Sequence, residues 1–444
     1  MIDLSPEAVT IIMFGALLVG VLLGVPLAII IGAIALGMGF IEYGTSVGSI
    51  LYPRVFAIMT KYVLLAVPLF IFMGGMLERS GITEKMYDAL YLWLGGLRGG
   101  LSIITIVIGT ILAATVGIIA ASITMLALVA LPAMMKRGYS KSFASGAVTA
   151  GGCLGILIPP SVMLILYGPM AMISVGKLFM AAFFPGFMLA ALYITYILVR
   201  SYLQPRIAPS VPPEERRVPL LKKTTVLLTS MVPPVFLILA VLGSIFTGLA
   251  APTEAAGVGA LAATLLTIAY RRFNFRVLRE SSMLTLRISG FIFLIIVMAY
   301  AFVGVFIASG GPKVVEAAIL GAPGGRWGAF ALIMFIIFLL GFFIDWIGIV
   351  LIMVPIMHPI AATLGFDQLW FAMMVCVNLQ TSFMTPPFAM GIYICRGAAD
   401  PKLGVTMGDI IRGVLPFVGL ILIGLGLLVA FPEIITWLPA QMIK

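Results

Sequence analysis

The sequence predicts an all-α polytopic membrane protein, an inverted repeat carrying two re-entrant hairpins and two broken helices. Four observations predict it. Apolar runs of about 20 residues recur from end to end, enough to cross a bilayer repeatedly. Of the 444 residues, 62% are hydrophobic and only 9% charged, and the mean hydropathy of +1.23 excludes an ordinary soluble domain. Adjacent prolines stand inside two of the runs, Pro159-Pro160 within 142–173 and Pro386-Pro387 within 369–395. Proline lacks a backbone donor and clashes with the preceding turn, so each helix must break there. The carbonyls this frees are costly in hydrocarbon unless protein, water or an ion satisfies them. Finally, the runs 99–135 and 327–357 are long for one span and short for two. Each reads as two half-helices meeting near the midplane.

In chain order, 8–43 is long enough for two spans, with Gly24-Val25-Pro26 as the turn or kink, and 62–77 gives a third. The short, slightly acidic start at Met1 to Glu7 lacks the basic region of a signal peptide, so the first apolar segment is expected to be retained. The 99–135 hairpin has a small, weakly polar centre, Ala113 to Ser122. It is flanked by Arg98 and Lys136-Arg137, which favour the same cytoplasmic side. A single tilted helix with an amphipathic tail is the alternative. The 142–173 helix holds Gly151, Gly152 and Gly155 before its double proline, and a span at 178–203 follows. A linker rich in proline and arginine occupies 204–223. Spans then fall at 224–249, 253–270 and 282–309, with a basic loop at 271–276. The 327–357 hairpin is interrupted at Asp345-Trp346-Ile347-Gly348, and a last span, 408–430, follows the second broken helix.

Charge fixes the orientation. The segments 78–98, 136–141, 200–223, 271–287 and 396–412 hold 20 of the 26 Lys and Arg residues. That is the positive-inside bias, and it accounts for the net charge of +10 better than nucleic-acid binding does. The two hairpins then open to opposite faces. The halves also match in order. Ser80-Gly81 precedes one hairpin and Ser309-Gly310 the other. Leu131-Pro132 and Val354-Pro355 close them, and the double prolines lie 27 and 31 residues further on. Pro26 precedes Pro132 by 106 residues and Pro252 precedes Pro355 by 103. An inverted repeat with midplane breaks implies alternating access. The expected organisation is scaffold helices at 1–77, a first transport-domain half at 78–175, and scaffold helices with the linker at 176–309. A second transport-domain half at 310–398 and a C-terminal helix at 399–444 complete it.

A small cation needs about five or six oxygens, which unwound carbonyls and hydroxyls supply in a membrane. The first half offers Thr115, Gly117 and Ser122 at the hairpin tip, opposed by Gly152, Gly155 and Ser161 at the break. The second offers Asp345 and Gly348, opposed by Gln380, Thr381, Ser382 and Thr385. Two ion sites would then flank one substrate site. Half-helix N-termini aimed at the centre favour an anionic substrate, with Ser122, Thr381 and Arg396 as candidate contacts. Interhelical hydrogen bonding is the competing role for each hydroxyl. Asp345, an acid in an apolar hairpin, is the sharpest single residue, the alternative being a shallow, wet position. Glu254 stands where it can cap a helix start. Arg396 and Arg287 either touch substrate or mark a membrane boundary. His358 has no partner cluster and reads as a surface or packing residue. Cys153, Cys376 and Cys395 imply no disulfide framework. No nucleotide-binding, zinc or nucleophile-elbow motif occurs in a credible context, which leaves ATP-driven transport, enzymatic catalysis and organic cofactors without machinery. A proton pathway would want several deep acids or histidines, so Na+ is the expected coupling ion. A stand-alone ion antiporter, a proton-coupled organic anion carrier and a passive channel remain as alternatives.

Four stretches carry a resemblance: Leu154 to Ser161, Ala251-Pro252-Thr253-Glu254-Ala255-Ala256, Gly341-Phe342-Phe343-Ile344-Asp345, and Gln380 to Phe388. With them the chain resembles, over its whole length, the large membrane subunit of tripartite ATP-independent periplasmic (TRAP) transporters. The resemblance implies a sodium-driven, elevator-type symporter in a bacterial or archaeal inner membrane. It further implies a small four-helix membrane subunit and a periplasmic substrate-binding protein as partners. Sodium sites are implied where hairpin tips meet broken helices. Many members carry a Ser-Gly-Ser-Ser-like first tip, where this chain has Thr115-Val116-Gly117-Ile118. That tip and the Gln-Thr-Ser-Phe run are similar to a branch associated with 2-oxo acids, hydroxy acids such as lactate, and mannitol or chloroaromatic compounds.

Overall fold

Each half of the chain lays down the same succession of helices, apart from one extra helix in each, Val47–Met59 in the first and Glu433–Ala440 in the second. The computed structural model describes residues 4–117, 119–212, 214 and 218–442, without the side chains of Thr115 and Val116. The first half runs α1 (Pro6–Leu22), α2 (Leu27–Tyr43), α3 (Val47–Met59), α4 (Ala66–Arg79), α5 (Ile82–Leu94), α6 (Gly100–Val116), α7 (Ile119–Lys136), α8 (Lys141–Cys153), α9 (Val162–Ala171) and α10 (Val175–Leu203). The second runs α11 (Leu220–Phe246), α12 (Pro252–Ala269), α13 (Phe275–Ala308), α14 (Gly311–Leu320), α15 (Gly325–Leu340), α16 (Trp346–Thr363), α17 (Gln368–Ser382), α18 (Met390–Ala398), α19 (Met407–Ala430) and α20 (Glu433–Ala440). Among the described residues there is no strand, and nine helical stretches are long and apolar enough to cross a membrane.

The 99–135 run is two helices, α6 and α7, not one tilted helix. They part at Gly117, whose φ of 62° lies in the left-handed region that glycine enters freely. Residue 118 lies outside the described residues. The second hairpin is α15 and α16. The broken helices are α8 with α9 and α17 with α18, interrupted where the double prolines stand, and the Pro159–Pro160 and Pro386–Pro387 bonds are both cis. The Ser-Gly pairs recur as structure: Gly81 (φ 70°) and Gly310 (φ 76°) start α5 and α14 in the left-handed conformation.

Four helices had no counterpart in the sequence reading: α3, α5, α14 and α20. α5, α14 and α20 fall outside the stretches long and apolar enough to span, and α5 shows the reason. It buries Ile82, Met86, Ala89 and Leu90 while exposing Glu84, Lys85 and Asp88, the pattern of a helix lying along the surface rather than through the bilayer. The linker also differs from a free tether. Its first part closes the mouth of the first hairpin: Gly99 N donates to Ala208 O at 3.0 Å, Ser140 N to Ile207 O at 2.9 Å, and Val211 N to Gly95 O at 2.8 Å. Residues 213 and 215–217 of that linker lie outside the described residues.

The halves interlock reciprocally. α4 packs on α12 as α2 packs on α13, and α7 packs on α18 as α16 packs on α9. Likewise α8 packs on α19, and α17 on α10. The exchange extends to single side chains. A Cβ on Gly32 of α2 would lie 2.6 Å from the Met298 sulfur of α13. One on Gly259 of α12 would lie 2.7 Å from the Met73 sulfur of α4. Each half thus seats a methionine in a glycine notch of the other, the close approach that small residues permit between membrane helices. α10, placed by sequence with the scaffold spans, packs chiefly on α20, α17, α19 and α6. α19 packs on α8, α17 and α10.

Candidate functional site

The first break begins where α8 ends. Leu154–Ile156 make one 3-10 turn, and the chain is then non-helical to Ser161. Every residue from Gly151 to Ser161 is buried, so the freed carbonyls must find partners inside the protein. One does: the Ser161 hydroxyl donates to the Ile156 carbonyl. The first hairpin docks directly on this break. A Cβ on Gly117 would lie 3.2 Å from the Pro160 carbonyl oxygen and 3.6 Å from the Val162 nitrogen. One on Gly152 would lie 2.9 Å from both N and Cα of Ile123, so α8 rides on the backbone of α7 beside the fully buried Ser122. Gly155 is buried in the 3-10 turn. The side chain of Thr115 lies outside the described residues.

The second hairpin repeats the arrangement with different chemistry. After Gly341 the turn is tight, with Phe343 N and Ile344 N both donating to Leu340 O at 2.9 Å. Asp345, in extended conformation, then caps the start of α16. Its Oδ1 is shut off from solvent and has no hydrogen-bond partner. Gly341 presses on the end of α17: a Cβ there would lie 2.5 Å from Ser382 Cβ. The Ser382 hydroxyl and the Gln380 Nε2 are likewise buried without partners. Thr381 spends its hydroxyl proton on Asn378 O (2.6 Å) and Thr385 on Thr381 O (2.8 Å), which leaves their oxygens free to accept. Asn378 Nδ2 in turn donates to Met334 O at 2.8 Å and ties α17 to α15. Gly348 is placed elsewhere. Its open face meets Leu27 of α2, not the break.

The two half-sites touch back to back. Gly391 at the start of α18 donates to Phe383 O at 2.9 Å. A Cβ on it would lie 3.1 Å from the Cys153 sulfur and 3.2 Å from Ile123 Cδ1. They differ in access: Pro159 and Pro160 are buried, Thr385 is half-buried, and Pro386 and Pro387 are exposed. Among the described residues no three of His, Cys, Asp and Glu converge as metal ligands. A cation bound here would rest on carbonyl, hydroxyl and amide oxygens with one carboxylate, the ligand set of a hard ion.

The remaining charged residues sit apart. Arg396 is exposed in the last turn of α18, where a cation complements the helix C-terminus, and Arg287 is exposed on α13. Glu254 accepts from the Ala251 backbone N at 2.9 Å and so caps α12. His358 is buried with Nδ1 3.3 Å from the Tyr167 hydroxyl. Sequence reading missed the Asn378–Met334 tie and the seating of Gly341 on Ser382. The four-residue spacing of Gly341 before Asp345 was the one visible signal.

Over residues 14–434 the sequence matches the family described as "Tripartite ATP-independent periplasmic transporter, DctM component". The chain belongs to this TRAP family. It is 29% identical to the C4-dicarboxylate TRAP transporter large permease protein DctM of Rhodobacter capsulatus over 97% of each chain. It is 28% identical to the sialic acid TRAP transporter large permease protein SiaM of Vibrio cholerae, covering 85% of this chain and 86% of that one. The fold is similar to the crystal structure of the Alcanivorax borkumensis YdaH transporter, described as having an unusual topology. The TM-score is 0.58 at 16% identity, with 96% and 98% of the two chains covered. As a TRAP large permease the chain is a transport component, not an enzyme, and a multi-span protein of the bacterial inner membrane.

Proposed function

We propose that this permease is the large membrane subunit of a sodium-driven importer of small organic acids. Its partners are a small four-helix membrane subunit and a periplasmic substrate-binding protein. One observation carries the reading: each hairpin tip seats on a helix break, and the second junction holds Asp345 Oδ1 and the Ser382 hydroxyl buried and unpaired. A buried polar group left unpaired costs about 1–3 kcal/mol, and a sodium ion removes that cost for oxygens. The names of the two permease relatives denote acids, which fits the anionic substrate expected at half-helix N-termini. Within that class 2-oxo and hydroxy carboxylates are the substrates proposed, on the Thr115-Val116-Gly117 tip. Ser122 and Thr381 are the contacts proposed.

The moving body in this reading comprises both hairpins, both broken helices, and α10 and α19, which pack on them. It slides against α2, α4 and α11 to α13. Leu27 and Gly348 test this, because they meet across the boundary. In a chain with Cys153, Cys376 and Cys395 replaced, Leu27→Cys removes the nearest atom that a Gly348→Cys side chain would overlap and leaves Ile344 Cγ2, 2.9 Å from the new Cβ, to shift. Oxidative crosslinking of that pair is expected to cut uptake by about 90% or more, with recovery on reduction. Full uptake by a fully crosslinked protein would contradict the sliding mechanism.

A further inference from the structure

Away from the helix breaks, a cavity of about 350 Å³ opens at the seam between α3 and α13 on one side and α9 and α16 on the other. Among the described residues its polar lining is Arg54, Lys61, Tyr300 and His358, with no acidic residue. Arg54 is half-buried and Lys61 exposed, and neither side chain has an ion pair or hydrogen bond among the described residues. The His358 ring is anchored through Nδ1 on Tyr167. The Gln368 side chain approaches the ring, yet Nε2 makes no hydrogen bond of normal geometry. Arg54 has a built seat. A Cβ on Gly304 of α13 would lie 2.7 Å from Arg54 Cδ, so the missing side chain is what lets the arginine stem lie across the helix. By the charge bias, Arg54 and Lys61 are two of the six cations on the face opposite the basic loops. Two unneutralised cations, one of them in a made-to-fit groove, gather where membrane topology does not ask for them.

We infer that Arg54 and Lys61, beside His358, form an extracytoplasmic anion site that receives the carboxylate of a soluble organic acid at the seam between scaffold and moving body. The guanidinium fork pairs with carboxylate oxygens, and the ammonium supplies a second charge. Because the walls come from both bodies, the site is complete only while they are apposed as here, so it would hold an acid before translocation and release it as the bodies slide. The identity of the anion rests on the importer reading above; the existence of the site does not.

The test reads local potential without transport. Met172 lines the cavity and is 94% exposed, whereas Cys153, Cys376 and Cys395 are fully buried. Met172→Cys is labelled in phosphatidylcholine vesicles with anionic sulfonatoethyl or cationic trimethylammonioethyl methanethiosulfonate, each rate normalised to free thiol. The anionic reagent is expected to react about tenfold faster. Arg54→Gln and, separately, the exposed Lys61→Gln are expected to erase most of that preference. Succinate and lactate are expected to slow labelling in the parent but not in the variants. Equal rates for the two reagents would overturn the site, as would a preference that survives both substitutions. Protection by phosphatidylglycerol with none by succinate or lactate would also overturn it, assigning the cations to a lipid phosphate. Sodium-driven uptake combined with equal labelling rates would sink this site alone; biased, acid-protected labelling without uptake would sink the importer reading alone.

Discussion

Asp345→Asn is expected to lower sodium-driven uptake by about two orders of magnitude, the scale on which metal sites respond to loss of a supporting group. Folded protein should stay within about twofold of the parent, because the amide has the same shape and keeps an oxygen that the Trp346 and Ile347 N–H groups can reach. The substitution keeps shape and removes charge. Oδ1 has no hydrogen-bond partner, and an amide keeps the oxygen that the Trp346 and Ile347 N–H groups approach, so a merely structural carboxylate would tolerate the amide. Rates measured against sodium concentration separate the roles. The account expects half-saturation to move to higher sodium, with Asp345→Glu falling between the two. An unchanged sodium dependence in Asp345→Asn would remove the residue from the ion site.

Gly413→Leu is expected to cost about 3 kcal/mol or more, the upper range for overpacking. A Cβ on Gly413 of α19 would overlap the Ser142 carbonyl and lie 2.9 Å from the Gly146 nitrogen of α8. One on Gly146 would lie 2.9 Å from Gly413 Cα. Backbone stands against backbone, so no side chain can yield and the helices must part. Gly419 on the same helix has nothing within 4 Å of its Cβ direction, so Gly419→Leu is the control and should leave detergent thermostability near that of the parent. Equal thermostability of the two variants would show that α8 and α19 do not touch as described.

That pair also shows how far the sequence could be read. Proline has a local cause and effect, so Pro159-Pro160 and Pro386-Pro387 located both breaks, and the Ser80-Gly81 and Ser309-Gly310 pairs located equivalent helix starts. A glycine in an apolar run announces a close approach without naming the partner. Gly152 receives the Ile123 backbone, Gly146 receives Gly413, and Gly348 receives Leu27. Only three dimensions supply those neighbours, which is why Gly348 was grouped with residues it does not face. Hydropathy windows of spanning length passed over α5, whose apolar stripe repeats every third or fourth residue and never forms a run. Nor does composition reveal that Ala208 and Val211, inside a basic and proline-rich linker, are buried against the base of a hairpin.

Uptake in proteoliposomes tests the central claim most directly. The permease and its small partner subunit would be reconstituted with and without the binding protein, under an inward sodium gradient or an inward proton gradient, against radiolabelled lactate, pyruvate and succinate. The account predicts accumulation of at least one acid only when the sodium gradient and the binding protein are both present. Accumulation driven by protons with sodium absent would contradict it and make Asp345 a proton carrier. Sodium-driven accumulation that needs no binding protein would contradict the tripartite arrangement.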